Sequence, residues 1–400
     1  MEEIDRLARG RQAEDLGRKA ADWLSVRVGT MSDDPSLYHG LAGAVLGLFE
    51  ADQHFRNGRY TSAVRQGADV LADVVDGADD CSLYLGLAGV AFALRTLQRD
   101  SEADRALTII RERFDGTRWN DMFELMMGNA GIALGALHAG DVDLAVSALE
   151  PYRTKADVTA HGVNWAVRPS PPRSHHIAHG TLGIVYALAD VGDAAGRTDM
   201  VELAILGAND VTSRSDAGPE YFLVPHSDPP HRPDLIERYS YGWCNGPAGD
   251  AQVFRLLERV TDQSTWSDLV DRCWRTVTES GLPQRLRPGF WDNNGRCCGT
   301  AGVLALASDR IVERADEFTF ADLLIDDLTA RAIVDDAGAR WSNVEHRTQP
   351  NDLEPHAGWA MGNAGIVTEL LRYARLCEGR SPDYAVNWPD HPLAFDKRQL

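Results

Sequence analysis

The feature that most constrains the fold of this chain is a Gly-x-x-Gly motif that occurs seven times, each time before an apolar run. The first glycines of successive motifs are 42 to 66 residues apart, which is similar to or slightly longer than the period of helix-pair repeats. The motifs are Gly40/Gly43, Gly86/Gly89, Gly128/Gly131, Gly180/Gly183, Gly246/Gly249, Gly299/Gly302 and Gly362/Gly365. The spacing predicts seven pairs of helices, with one helix of each pair beginning at the glycines.

The apolar pattern predicts how these helices are arranged. Residues 41–48 and 132–137 are apolar on nearly every side, which is typical of buried helices, whereas residues 262–277 mix charged and apolar positions as half-exposed helices do. Small residues at the starts of the buried helices should allow close approach and leave backbone N–H groups facing a common centre. The first and last repeats resemble the middle ones, although an open solenoid needs polar capping repeats. We therefore predict an all-α fold: a closed α/α toroid of seven helix-pair repeats, in a single domain over residues 1–400.

Composition excludes several classes of protein. The formal charge is -20, with 40 basic and 60 acidic residues, whereas nucleic-acid binding relies on clusters of Lys and Arg. We find neither a signal-peptide pattern at the start nor an uninterrupted apolar run of about 18 residues. Six cysteines in 400 residues do not resemble a secreted disulfide framework. These features predict a cytoplasmic protein with reduced thiols, no nucleic-acid partner and no membrane span.

Two of the repeats carry cysteine at the same position. Residues 242–249 and 295–302 can be aligned so that Cys244 falls on Cys297, and Cys298 follows directly. Thiolates from two neighbouring repeats are what a three-thiolate metal site requires, and zinc is the metal that favours such ligands while keeping a fourth position for chemistry. The alternative is ordinary buried cysteines. The repeat register favours the metal site, and the other cysteines, Cys81, Cys273 and Cys377, lie outside it.

Three further residues near the motif glycines are candidates for the chemistry. His179 directly precedes Gly180 and is a candidate zinc ligand, general acid or base, or histidine that caps helix dipoles. Glu124, four residues before Gly128, is either a site carboxylate or a surface glutamate. Arg238, just before the Cys244 segment, is either a site residue or a solvated arginine. Two Pro- and Gly-rich insertions, residues 168–176 and 217–233, are placed to shape a substrate cleft.

The seven glycine motifs, Trp243-Cys244-x-Gly246 and the triplet Cys297-Cys298-Gly299 together resemble the lanthipeptide cyclases, the lanthionine synthetase C-like family. The resemblance covers essentially the whole chain and implies an α/α toroid that binds one zinc ion per chain. It implies that Cys244, Cys297 and Cys298 are the zinc ligands, as in members with Cys-Cys-Gly. It also implies that His179 is an acid or base residue and that Glu124 matches a family carboxylate.

The sequence departs from the family pattern at two positions. Bacterial members often carry arginine four residues before the first zinc cysteine, and that position here is Ser240. Its role is therefore empty or taken over by another residue, for which Arg238 is the candidate. The residue after the cysteine, frequently Tyr or His in the family, is Asn245.

The function that the resemblance implies is an enzyme that adds a peptide cysteine thiol to dehydroalanine or dehydrobutyrine, which closes a thioether ring. Zinc would hold the thiol as a thiolate, and three protein thiolates make the ion site formally -1. His179 would protonate Cα. The expected partners are a dehydrated precursor peptide and a dehydratase or other modifying enzyme.

Three alternatives remain open at the level of sequence. One is addition of glutathione to dehydrated residues in proteins. The second is a peptide-binding scaffold subunit of a synthetase complex, in which zinc is structural and has a fourth protein ligand. The third is a carbohydrate-active toroid, which would use two facing carboxylates.

Overall fold

The structure is a computed structural model that describes residues 2–392. These residues contain fourteen α-helices, and seven of the helices begin directly after the first glycine of a Gly-x-x-Gly motif, as the spacing predicted. We call these seven the buried helices, since nearly all their residues are buried. They are α2 (Leu41–Phe55), α4 (Leu87–Thr96), α6 (Asn129–His138), α8 (Thr181–Ala194), α10 (Pro247–Thr261), α12 (Thr300–Arg314) and α14 (Asn363–Cys377).

The other seven helices are amphipathic and pack against the buried ones; we call them the partner helices. They are α1 (Glu2–Ser25), α3 (Thr61–Val74), α5 (Asp100–Glu112), α7 (Val142–Lys155), α9 (Thr198–Thr212), α11 (Ser264–Glu279) and α13 (Thr319–Arg331). In α11 the side chains of Trp266, Leu269 and Val270 are buried, while the charged Asp268 between them is exposed. This confirms the half-exposed helix predicted for residues 262–277.

Small residues set the spacing between neighbouring buried helices. A Cβ atom added at Gly135 of α6 would lie 2.8 Å from the Cβ of Ala88 on α4, and one added at Gly47 of α2 would lie 2.7 Å from the Cβ of Ala364 on α14. Side chains larger than hydrogen would therefore push the helices apart. The close approach predicted from the small residues is confirmed at these two contacts.

The described chain divides into two compact units. One contains the residues up to Val74 together with Gly281–Trp388, and the other contains Val75–Ser280 together with the residues from Pro389 onward. The single domain predicted for residues 1–400 stays a prediction, and its ends, Met1 and residues 393–400, lie outside the described residues.

Helix pairing is regular within each unit. In the second unit α4, α6, α8 and α10 are neighbours in that order, and each packs against the partner helix that follows it. In the first unit α14 packs between α2 and α12, while α2 pairs with α3 and α12 with α13. The remaining buried helix, α14, takes α1 from the start of the chain as its partner. The seventh repeat is therefore completed by the first helix.

Short strands occur only in connections within the described residues. They form three antiparallel pairs: β1 (Asp157–Val158) with β2 (Val163–Asn164), β3 (Arg173–Ser174) with β4 (Ser227–Asp228), and β5 (Ile333–Asp335) with β6 (Gly338–Arg340). The β3–β4 pair joins the two insertions at residues 168–176 and 217–233. Two short 3-10 helices, Val28–Thr30 and Val75–Gly77, complete the described elements.

Candidate metal centre and active site

The loop before each buried helix folds back over the start of that helix. In five repeats the N–H of the first or second helical residue donates to the backbone carbonyl seven residues earlier, at distances of 2.8–3.0 Å; the donors are Leu41, Leu87, Leu182, Ala301 and Asn363. Free N–H groups at a helix start normally need such partners. At these five helix starts the preceding loop therefore occupies one of the N–H groups, and the expectation that these groups face a common centre stays a prediction.

The same loop explains the second glycine of the motif. A Cβ added at Gly249 would lie 1.8 Å from the carbonyl oxygen of Trp243, and one added at Gly365 would lie 2.2 Å from that of Trp359. Real Cβ atoms do not approach a carbonyl oxygen so closely, so only glycine fits. The second glycine of the motif thus allows a carbonyl of the preceding loop to lie directly against the start of the helix.

Within each unit, neighbouring loops are hydrogen-bonded at the residue two positions before the first glycine. In the second unit the backbone N–H of Tyr84 donates to Met126, that of Met126 to Ala178, and that of Ala178 to Cys244, at 3.1–3.4 Å. In the first unit the N–H of Cys297 donates to Ala360 at 2.8 Å, and that of Ala360 to Tyr38 at 3.0 Å. The positions aligned in sequence are therefore neighbours in space within each unit.

Cys244 is held from both sides by its own segment. The preceding Trp243 is fully buried, and its indole meets the ring of Tyr84 edge-on at 5.9 Å between centroids. The side-chain amide of the following Asn245 donates toward the Cys244 Sγ at 3.4 Å. The Cys244 side chain is buried, with 6% of its surface exposed. Its sulfur is thus fixed by a packed aromatic residue and one amide.

Cys297 and Cys298 present their sulfurs side by side despite being adjacent in sequence. The two Sγ atoms are 3.3 Å apart. Cys297 is 2% exposed, and the Tyr38 hydroxyl donates to its Sγ at 3.4 Å. Both cysteines lie in the turn before α12, where the bend lets successive side chains point the same way.

Cys244, Cys297 and Cys298 form a group that could hold a metal ion. We call them the cysteine cluster. Three sulfur donors, mostly buried and present as thiols, form a donor set that fits zinc. The other three cysteines are buried, and burial raises the pKa of each thiol, that of Cys377 to about 11. These three are therefore core thiols.

His179 and Glu124 form a pair in the second unit. The carboxylate of Glu124 is completely buried and accepts the backbone N–H groups of Met126 and Met127, the latter at 3.1 Å. The Nδ1 atom of His179 lies 3.7 Å from Oε2 of Glu124, and the His179 side chain is 37% exposed. Glu124 is therefore not a surface glutamate. It is a fixed carboxylate beneath an accessible imidazole.

Arg238 is a surface residue that follows the second insertion, residues 217–233. Its side chain is 65% exposed and donates to Asp216 at 3.1 Å. The hydroxyl of Tyr239 donates to the same carboxylate at 2.6 Å. Arg238 lines an open cavity of about 410 Å³ together with His175 and His226.

Sequence reasoning did not single out a buried histidine–aspartate pair. His176 Nδ1 lies 2.8 Å from Oδ2 of Asp250, and both side chains are almost fully buried. Burial also lowers the pKa of the neighbouring His175 and of His226, each to about 3. The available signal was Asp250 itself, an acidic residue in the first turn of an otherwise apolar helix start.

A buried arginine beside the cysteine cluster was missed as well. Arg296 directly precedes Cys297, is 2% exposed, and its Nε donates to Oε1 of Glu369 at 3.0 Å. The sequence feature that could have indicated this ion pair is Glu369, a glutamate within the apolar run of α14.

Comparison with known proteins gives the class. The model of the family described as Lanthionine synthetase C-like protein matches residues 31–214 and 231–323, which is more than half of the chain. The chain therefore belongs to the lanthionine synthetase C-like family. No curated protein matches the sequence.

Solved structures share the fold. The structure of "Nisin cyclase" superimposes with a TM-score of 0.64 at 16% identity, covering 96% of this chain and 97% of that one. A GH76A alpha-1,6-mannanase from Salegentibacter gives a TM-score of 0.51 at 10% identity, covering 90% and 99%. These likenesses concern the fold alone. With the family match they confirm the α/α toroid class predicted from the sequence.

No helix among residues 2–392 combines the length and the apolar character that a bilayer crossing requires.

Proposed function

We propose that this protein is a zinc-dependent peptide cyclase, which adds a cysteine thiol to dehydroalanine or dehydrobutyrine in the same peptide and so forms a lanthionine-type thioether ring. The observation that carries this proposal is the cysteine cluster in a chain of the lanthionine synthetase C-like family. The likeness to nisin cyclase supports a peptide as the substrate.

In this proposal Cys244, Cys297 and Cys298 hold one zinc ion per chain. Zinc supplies a position at which the substrate thiol is bound in its deprotonated form at neutral pH, where a free thiol with a pKa near 8.5 is mostly protonated. The group that could hold the metal contains three residues. Three protein ligands are the number that catalytic zinc sites use, with the fourth position taken by water or substrate.

His179 has the proton-transfer role. Addition of sulfur to Cβ of the dehydro residue moves an electron pair onto the adjoining carbonyl as an enolate, and the ring is complete only when Cα gains a proton. The thiol has lost one proton and Cα gains one, so the reaction is balanced. An imidazole with accessible surface can give and take this proton near neutral pH.

Glu124 positions His179. Its carboxylate is fixed by two backbone N–H groups, so it can hold the Nδ1 side of the imidazole in one orientation, as carboxylates do for catalytic histidines. Arg238 is proposed as a further site residue, since it lines the cavity beside His226. The free cysteines of the described chain fit a cytoplasmic protein, since thiols stay reduced there. In this proposal a dehydratase or other modifying enzyme supplies the dehydrated peptide.

The decisive experiment incubates the purified protein with a dehydrated peptide that contains one cysteine. Cyclisation leaves the mass unchanged but removes the thiol, so alkylation with N-ethylmaleimide should fall as the ring forms. Zinc content is measured on the same sample and should be one equivalent.

Glutathione is added in a parallel reaction. A glutathione adduct in place of a ring would favour the second candidate, addition of glutathione to dehydrated proteins. Binding of the peptide without loss of thiol would favour a scaffold subunit.

A further inference from the structure

Arg296 is the buried arginine next to the cysteine cluster. It lies in the loop before α12, and its side chain points toward α14, where Nε donates to the carboxylate of Glu369 at 3.0 Å. Both side chains are at most 2% exposed. A buried ion pair is costly to desolvate and adds little net stability compared with apolar residues of similar volume. Its presence here calls for a role other than stability.

The pair is held firmly on the α14 side. Glu369 also accepts the hydroxyl of Tyr384, which lies 3.0 Å from each carboxylate oxygen. The Arg296 guanidinium lies 5.3 Å from the ring centre of Trp359. Both charges are therefore compensated by hydrogen bonds and an aromatic face, and the acceptor of the Arg296 side chain has a fixed place.

The same stretch is anchored a second time through its backbone. The N–H of Cys297 donates to the carbonyl of Ala360 at 2.8 Å. The Arg296 side chain passes through the gap that Gly365 leaves, since a Cβ added at Gly365 would lie 2.8 Å from Cβ of Arg296. Side chain and backbone thus tie residues 296 and 297 to the seventh repeat at two points.

We propose that Arg296 is a positioning residue for the metal centre: its ion pair with Glu369 holds the bend that lets Cys297 and Cys298 offer both sulfurs to one ion. The inference rests on zinc binding by the cysteine cluster, which is part of the proposed function.

The test uses the full chain freed of metal with a chelator and titrated with Co²⁺, whose thiolate charge-transfer and ligand-field bands report both affinity and geometry. Arg296→Met keeps the volume of the side chain and removes the ion pair. We expect it to bind Co²⁺ about 10- to 100-fold more weakly, the range observed when a group that orients a metal ligand is lost, with altered ligand-field bands. Arg296→Lys keeps the charge and should recover most of the affinity.

Two further variants keep the test decisive. Arg310→Met is the matched control, since it removes another buried arginine ion pair, that with Asp316 at 2.9 Å, at the far end of α12. It should bind Co²⁺ as the unaltered protein does. Glu369→Gln leaves Arg296 in place but removes its charged partner, and should weaken Co²⁺ binding in the same direction; it replaces Arg296→Met if that variant does not fold.

Thermal unfolding of the metal-free variants separates positioning from stability. A lower Tm with unchanged Co²⁺ affinity and bands would overturn the inference, as would unchanged binding by both Arg296→Met and Glu369→Gln. Failure of the unaltered protein to bind one Co²⁺ would instead refute the cysteine cluster as a metal site.

Discussion

The segments 242–249 and 295–302 are two copies of one unit, and their comparison separates what the backbone does from what the side chains do. In both, a glycine caps a buried helix and a cysteine lies two residues before it. The N–H of Cys297 and the carbonyl of Cys244 each bond to a neighbouring loop in their own unit. The repeated backbone therefore fixes where a cysteine sits, whichever repeat carries it.

The residues on either side of the cysteine differ completely. Cys244 lies between a buried indole, Trp243, and an amide, Asn245, that donates toward its sulfur. Cys297 lies between the buried Arg296 and a second thiol, Cys298. Residues 242–249 thus hold one sulfur between uncharged neighbours. Residues 295–302 hold two sulfurs next to a charged side chain. The chemistry of the site depends on these neighbours, since the backbone is shared.

The largest expected effect comes from removing a sulfur from either copy. Cys244→Ala and Cys298→Ala should each lose bound zinc and cyclisation together, with zinc affinity falling by more than the roughly 10–100-fold that loss of a ligand's neighbour costs. Zinc content by mass spectrometry and thiol loss in the peptide assay measure the two effects. Cys81→Ala, which removes a buried thiol outside the cluster, should keep one equivalent. Retention of that equivalent by Cys244→Ala would contradict the ligand assignment.

A second prediction concerns proton transfer, which is proposed for His179, a residue outside both cysteine segments. His179→Asn should keep zinc at one equivalent and slow ring closure by about 10²- to 10⁴-fold, the usual contribution of a proton-transfer group. The exposed His161 offers a control, and His161→Asn should cyclise at the normal rate. Equal rates for the His179 and His161 variants would remove His179 from the mechanism.

A third prediction tests the shared backbone, by adding one methyl group at the second glycine of a motif. Gly249→Ala forces a Cβ against the Trp243 carbonyl and should lower the free energy of unfolding by about 1–3 kcal/mol, as overpacking does. Gly77→Ala has no atom within 4 Å of the added Cβ and should be nearly neutral. Urea unfolding measures both variants. Similar stability for the two would show that the loop can yield at the helix start.

The smallest expected effect is a pH dependence in the unit that carries Cys244. His175 and His226 have a pKa of about 3 in the folded protein because burial disfavours the charged ring, whereas an unfolded histidine has a pKa near 6.5. Below pH 6.5 the unfolded chain therefore takes up protons that the folded chain does not, and stability is lost as the pH falls toward 3. Between pH 7 and pH 5 each residue should cost about 1–2 kcal/mol.

Urea unfolding at several pH values checks this. His226→Gln should reduce the loss of stability between pH 7 and pH 5, whereas His161→Gln should leave it unchanged. If the two variants show the same pH dependence as the unaltered protein, burial of a neutral His226 is not what makes the fold acid-sensitive.

The sequence predicted the buried helices well because their signal is local. Each Gly-x-x-Gly precedes a run that is apolar on all sides, and every first glycine proved to be a helix cap. The sequence did not show what those glycines accommodate. At five of these helix starts one N–H group is bonded to a carbonyl seven residues earlier, a contact that depends on the path of the loop.

Side-chain partners were harder to predict because they lie far apart in the sequence. Glu124 was weighed against an exposed glutamate and is fully buried; nothing in the residues around it reveals that two N–H groups fold over its carboxylate. Arg238 and Arg296 are both arginines just before a cysteine segment. Only packing distinguishes the exposed one from the buried one.

The sequence by itself determined the number of helix pairs and the positions of the three cysteines within the repeats. Both can be read from the spacing of the glycine motifs and from the apolar residues that follow each motif, which are local features of the chain. The tertiary structure alone decided that α14 pairs with α1 and that Arg296 pairs with Glu369, 73 residues away. The physical reason is that burial and ion pairing depend on which segments pack together, and residues so distant along the chain carry no local trace of that packing.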